Sequence, residues 1–288
     1  MLNPISTLPI VFGQSFSPQT LARTPESNEV MEEETSVRQY DLAMESKLAI
    51  VYAGALMLLH QASRQGGGKA IDLCCGPGHF TLLLAKHFDF EEIIGVDLSE
   101  SMVEAATENA KAWGLDDRVR FEVADAINPP VAEGTFSVVT CNDAAHHLPD
   151  LDLVGQLLRT MNRLCTTDGT IVLTDLVRLK NQSVTDRYTK LIGQDYLDRG
   201  LDAFQADFCA SMLAAWTGEE LRSIVPETDA ARTWSHREQK LLPTVQSVMG
   251  YPNDGRGMKL RSSVPWTAEN HPVPSSMRMD WEMFRRLL

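Results

Sequence analysis

The stretch Asp72-Leu73-Cys74-Cys75-Gly76-Pro77-Gly78 has the composition of a ligand loop: an apolar run ends in a carboxylate, then small residues and glycines lead into a helical pattern near His79. Glycines let a backbone approach a ligand closely and adopt dihedrals that other residues resist. A helix start adds unpaired N–H groups and a partial positive charge. Two more acids close the next apolar runs, in Ile94-Gly95-Val96-Asp97 and Val123-Ala124-Asp125-Ala126. A carboxylate at the first of these positions can accept hydrogen bonds from both hydroxyls of a ribose. One at the second can receive an exocyclic amine such as that of adenine. The three together lay out a nucleoside site along one sheet edge. A fourth run, Val138 to Asn142, leads into Asp143-Ala144-Ala145-His146-His147, and imidazoles titrate near neutrality and can move protons.

These residues need a scaffold that sets their strand tips side by side. Short apolar runs at 69–73, 92–97, 118–124, 135–141 and 169–176 read as buried strands. Helical patterns lie between them. Ser99 is placed to cap one, Gly114 to end it, and Asp150 to open another. Val154, Leu157, Leu158, Met161 and Leu164 form the stripe of a helix lying on a sheet. This alternation predicts an α/β fold, a mostly parallel sheet with helices on both faces. Ligands bind such sheets outside the carboxyl ends of the strands.

The loop and acids resemble the class I S-adenosylmethionine-dependent methyltransferases, in particular the small-molecule branch that includes the ubiquinone/menaquinone methyltransferases. That family's first motif is an acid followed by a Gly-x-Gly-x-Gly loop; here these are Asp72, Cys74 in place of the first glycine, Gly76 and Gly78. The resemblance implies a seven-stranded Rossmann-like methyltransferase sheet and S-adenosyl-L-methionine as cofactor. It puts the ribose acid on Asp97 and the adenine-side acid on Asp125. Leu98, Ser99, Met102 and Ala126 fall beside them, and Asn142 falls where the methionine part is contacted. It covers roughly residues 69–177. A nicotinamide or flavin site would want Gly-x-Gly-x-x-Gly/Ala, and Thr81 stands at the third position.

The acceptor is less legible. His146 is the candidate general base, with a packed ring as the plain alternative, and His147 is a candidate substrate contact. Tyr40 and Met44, one helical turn apart, either face substrate or join the core. The 183–216 segment reads as a helical insertion after the fifth strand, placed to act as a lid. The chain divides into a flexible arm (1–30), a helical cap (31–66), the methyltransferase domain (67–250) and an irregular tail (251–288), with Lys259 to Val264 the candidate for a missing last strand. No ligand spacing fixes a metal, so none is expected.

The net charge of −13, from 39 acids against 26 bases, leaves no concentrated basic face for a nucleic-acid backbone. A small-molecule acceptor is expected over DNA or RNA. No run is apolar for long enough to cross a membrane. Five scattered cysteines suit a reducing cytoplasm. The sequence leaves a homodimer open, and two other functions: a non-catalytic cofactor-binding regulatory domain, or a methyltransferase acting on protein or RNA.

Overall fold

The apolar runs become strands β1 (Lys69–Leu73), β2 (Glu92–Asp97), β3 (Val119–Val123), β4 (Phe136–Asn142), β5 (Cys165–Leu176), β6 (Arg232–Glu238) and β7 (Val245–Pro252) in the computed structural model. The structure describes residues 4–26, 33–62, 67–228, 230–238 and 244–253. One sheet holds all seven strands in the order β3-β2-β1-β4-β5-β7-β6. β1 to β5 pair in parallel, and β7 lies antiparallel between β5 and β6. The helices are α1 (Pro4–Phe16), α2 (Glu34–Val51), α3 (Ala53–Ala62), α4 (His79–His87), α5 (Glu100–Trp113), α6 (Leu151–Leu164), α7 (Gln182–Asp198), α8 (Asp202–Ala214) and α9 (Gly218–Ser223).

Neighbouring strand residues feed opposite faces. Ala70, Ile93, Val138 and Val172 pack in one core with residues of α2, α3 and α4. Ile71, Ile94, Val139 and Leu173 pack in the other with the α6 stripe and Trp216. Burial on both faces is why these parallel strands read as continuous apolar runs rather than alternating ones. The result is the expected α/β, Rossmann-like architecture.

The caps fall where expected. Ser99 accepts from Met102 N–H, Asp150 accepts from Leu153 N–H, and Gly114 ends α5 in the left-handed conformation. The Thr217 side chain and Glu220 close a reciprocal capping box on α9.

Three readings change. First, the stretch taken as part of a flexible arm contains α1, although Pro9 lies inside it. Ile10 is buried with Leu179, Val184 and Met212, and a Cβ on Gly13 would collide with Val184 Cγ2. Tertiary packing thus outweighs the missing amide of Pro9. Second, β5 begins at Cys165, four residues early, and shifts register opposite Phe136 and Val138. Third, the last strand is β7, not a segment beyond Pro252. It was hidden because Gly250 and Pro252 read as turn residues. Gly250 is needed there, since a Cβ would come within 2.8 Å of Arg232 Cδ and 2.9 Å of the Trp234 ring. The stretch Lys259 to Val264 lies outside the described residues.

Candidate active site

The tips of β1, β2 and β4 meet at the loop before α4. Asp72 is buried, with Oδ2 accepting from the Thr81 hydroxyl and Oδ1 from the Thr140 hydroxyl, both at 2.7 Å. Burial pushes its pKa up to about 6, against the pull of those hydroxyls. Asp72 therefore ties β1, β4 and α4 together beneath the loop. Thr81, the residue that departs from the dinucleotide pattern, is one of its two anchors.

Asp97 bridges the loop and the next helix. Its Oδ2 accepts from Gly76 N–H at 2.8 Å and its Oδ1 from Ser99 N–H at 3.0 Å. Burial raises its pKa, and the N–H donors pull the other way. Cys74, where the family has glycine, sits at φ 56, in the left-handed region that favours glycine. Leu98 is exposed beside this carboxylate and Met102 is buried in the first turn of α5.

At the β3 tip, Asp125 is exposed and its Oδ1 accepts from Ile127 N–H at 2.8 Å, while Ala126 is buried. At the β4 tip, Asn142 Oδ1 accepts from the Thr174 hydroxyl at 2.7 Å. Its Nδ2 is buried near the Asp72 carboxylate, whose pKa the Asn142 amide helps to hold down.

α2 closes over the loop. Asp41 accepts from Asn109 Nδ2 at 2.8 Å and meets His79 Nε2 at 2.7 Å, which pins α2 to α4 and α5. Tyr40 thereby lies against the loop: a Cβ on Gly76 would be 3.9 Å from its Cε1. Met44, one turn on, is buried in the core.

After β4, His146 is buried and its Nδ1 meets Asp175 Oδ1 at 2.6 Å. His147 faces the other way, with Nδ1 on Glu26 Oε2 at 2.6 Å. Glu26 and Arg23 belong to a strap, residues 17–26, that the sequence reading missed because it carries no period. Arg23 stacks on Trp216 at 3.7 Å and donates to the carbonyls of His146, Leu148, Pro149 and Ala214. The strap therefore rests directly on the histidine loop. Donor atoms of Glu26, His146 and His147 lie within 4.8 Å of one another; the contact made there is the Glu26–His147 ion pair.

That ion pair has a definite pH signature. Burial would lower the His147 pKa, but the hydrogen bond and charge of Glu26, with Asp175 and Asp97 behind them, raise it. A raised imidazole pKa contributes stability that is full below the unfolded value, about 6.5, and is lost as pH rises through the folded value. The stability difference between the wild type and His147→Gln is expected to be full just below the unfolded value and to shrink as pH rises through the folded one. Urea unfolding of both chains at a series of pH values checks this, and a flat difference would refute it.

A family model described as a methyltransferase domain matches residues 64–226. The chain belongs to the class I S-adenosylmethionine-dependent methyltransferases. It is 31% identical over 154 residues to a ubiquinone biosynthesis O-methyltransferase of Methylococcus capsulatus, covering 52% of this chain and 61% of that one. It is 26% identical over 212 residues to ajmaline N-methyltransferase of Rauvolfia serpentina, covering 72% and 68%. Among the curated relatives matched first, the match spans from 38% to 62% of the relative's length in four enzymes. A solved structure from Methanococcus maripaludis, described as an S-adenosyl-L-methionine-dependent methyltransferase, shares the fold at TM-score 0.54 and 17% identity, covering 80% and 98%. The cofactor of the family is S-adenosyl-L-methionine, and the Asp97 carboxylate, fixed by two backbone N–H groups, fits a ligand of that kind. Among the described residues, no helix is long and apolar enough to cross a membrane.

Proposed function

We propose that the chain transfers a methyl group from S-adenosyl-L-methionine to a small-molecule acceptor by in-line displacement. The observation that carries this is Asp97, a carboxylate at the β2 tip held by Gly76 N–H and Ser99 N–H. Two backbone donors fix its oxygens, and their remaining lone pairs can take both ribose hydroxyls. Asp125 and Ala126 take the adenine side, with Leu98 and Met102 flanking. The loop from Cys74 to Gly78 and Asn142 take the methionine end, and Asp72 holds that loop from below.

The bound cofactor supplies an electrophilic methyl on a sulfonium. The chain's residues must align the acceptor with it and exclude water. α2 with Tyr40, and α7 and α8 with the strap, are placed to do so. In this scheme Tyr40 and His147 contact the acceptor. Where the acceptor must lose a proton, His146 is the base. Asp175 on Nδ1 orients the ring, leaving Nε2 to accept. The five cysteines are free, in keeping with a reducing cytoplasm.

Isothermal calorimetry with S-adenosylmethionine, S-adenosylhomocysteine and NAD tests the reading. Both sulfur ligands should bind and NAD should not; the reverse would sink it. In a turnover assay, His146→Ala should lose about 100-fold or more in rate with unchanged S-adenosylhomocysteine affinity. Unchanged turnover would remove His146 from catalysis.

A further inference from the structure

His146 sits in a turn whose backbone runs out of donors. It belongs to a single 3-10 turn, Ala145–His147, with His147 N–H on Ala144 O at 3.1 Å and Leu148 N–H on Ala145 O at 3.3 Å. A turn of this kind continues through the N–H three residues beyond each carbonyl. For the His146 carbonyl that residue is Pro149, which has no N–H to give. Backbone carbonyls shut away from water need a partner.

Two flat side chains supply the donors. Trp216 Nε1–H donates to Ala145 O at 2.9 Å. The Arg23 guanidinium lies on the Trp216 ring at 3.7 Å and donates to His146 O at 3.0 Å and to Leu148 O and Pro149 O at 2.7 Å each. Its Nε–H goes to Ala214 O at 2.7 Å, at the end of α8. Trp216 is itself tied to the sheet. It bridges Val177, just past β5, and its carbonyl accepts from Arg178 N–H and from Gln246 Nε2. The strap around Arg23 is fixed as well, with Thr24 N–H on Leu213 O at 3.1 Å and the Ser211 hydroxyl on Glu26 Oε1 at 2.7 Å.

His146 is therefore held at two levels. Asp175 Oδ1, 2.6 Å from Nδ1, sets the rotation of the ring. It does not set where the backbone beneath the ring stands. Arg23 does: each of its four hydrogen bonds ends outside the strap, and three end on carbonyls of residues 146–149. We propose that Arg23 is a positioning residue, which fixes the histidine turn and so aims His146 at the acceptor. A misplacement of about 1 Å can cost about 100-fold in rate. The task suits arginine. Lysine would keep the charge but has neither the planar fork nor the flat face that rests on Trp216. This deepens the methyltransferase reading, on whose choice of His146 as base it rests.

The test reads the His146 ring directly, by nitrogen-15 NMR of ring-labelled histidine in the full chain saturated with S-adenosylhomocysteine. His146→Gln identifies the His146 signals by their loss. His236, whose Nε2 meets Gln246 Oε1 at 3.0 Å on β6, is the remote control. Arg23→Ala and the milder Arg23→Lys should both shift and split or broaden the His146 signals. The His236 signals and the affinity for S-adenosylhomocysteine should stay as in the wild type. A role confined to stability would lower the urea midpoint and leave the ring signals of the folded chain in place. Unmoved His146 signals in either folded variant, equal displacement of His236, or failure of both variants to fold would overturn the proposal. Loss of S-adenosylhomocysteine binding in the wild type would instead bring down the methyltransferase reading itself.

Discussion

Asp97→Ala should weaken S-adenosylhomocysteine binding by about 100-fold or more while leaving the fold intact. A hydrogen bond to a charged group contributes roughly 1.5–3 kcal/mol. Losing two from the ribose is therefore about 3 kcal/mol or more, and every 1.4 kcal/mol is about tenfold in Kd. The loop also loses its anchor, since Gly76 N–H and Ser99 N–H both donate to this carboxylate. Stability should suffer far less. The Asp97 pKa is raised by burial, so its surroundings on balance disfavour the charge, and removing it relieves that cost. Asp97→Asn is informative in a different way. One of its two side-chain atoms becomes an N–H donor facing a backbone N–H, so the amide can serve only one of the two anchors. It should lie between wild type and alanine in loop order, yet closer to alanine in affinity. Calorimetry on the three chains, with urea unfolding as control, decides it. An affinity for Asp97→Ala within about threefold of wild type would mean that the ribose is held elsewhere.

The central sheet and the cofactor side were legible because local signals agreed with the tertiary answer. β1 and β2 are buried on both faces and read as unbroken apolar runs, and Ser99, Gly114 and Asp150 carried their caps in the sequence. What escaped depends on distant partners. α1 contains a proline and carries no acid in its first turn and no base in its last; its helix is justified only by Ile10 meeting Leu179, Val184 and Met212. β7 needs Gly250 because Arg232 and Trp234 of the next strand fill the space of a Cβ. Arg23 and Glu26 look like solvated charges until Trp216 and His147 are placed beneath them.

Gly78→Ala should be among the most destabilising single-methyl additions in the chain, at roughly 2–5 kcal/mol. Two terms add. Gly78 sits at φ 80, where a Cβ costs about 1–2 kcal/mol. The new methyl would also lie 2.6 Å from Phe121 Cζ and 2.9 Å from Ala106 Cβ, and overpacking of this kind costs about 1–3 kcal/mol. Gly76 separates the terms. Its φ is 53, but a Cβ there meets only Tyr40 Cε1, at an ordinary 3.9 Å. Gly76→Ala should therefore lose only the backbone part, and Cys74 shows that this loop tolerates a side chain at φ 56. The gap between the two variants in urea unfolding should thus be about 1–3 kcal/mol, and equal losses would show that Phe121 can move aside. Phe121 has little room to do so. The same ring fills the space beside Gly95, where a Cβ would collide with its Cδ1. One aromatic side chain from β3 thus occupies the space left by both glycines, and this lets the loop, α4 and α5 close together beneath the site. The last glycine of the loop is thus required for packing, independently of any ligand, and Gly76 is the position where a change in cofactor affinity can be read without a change in fold.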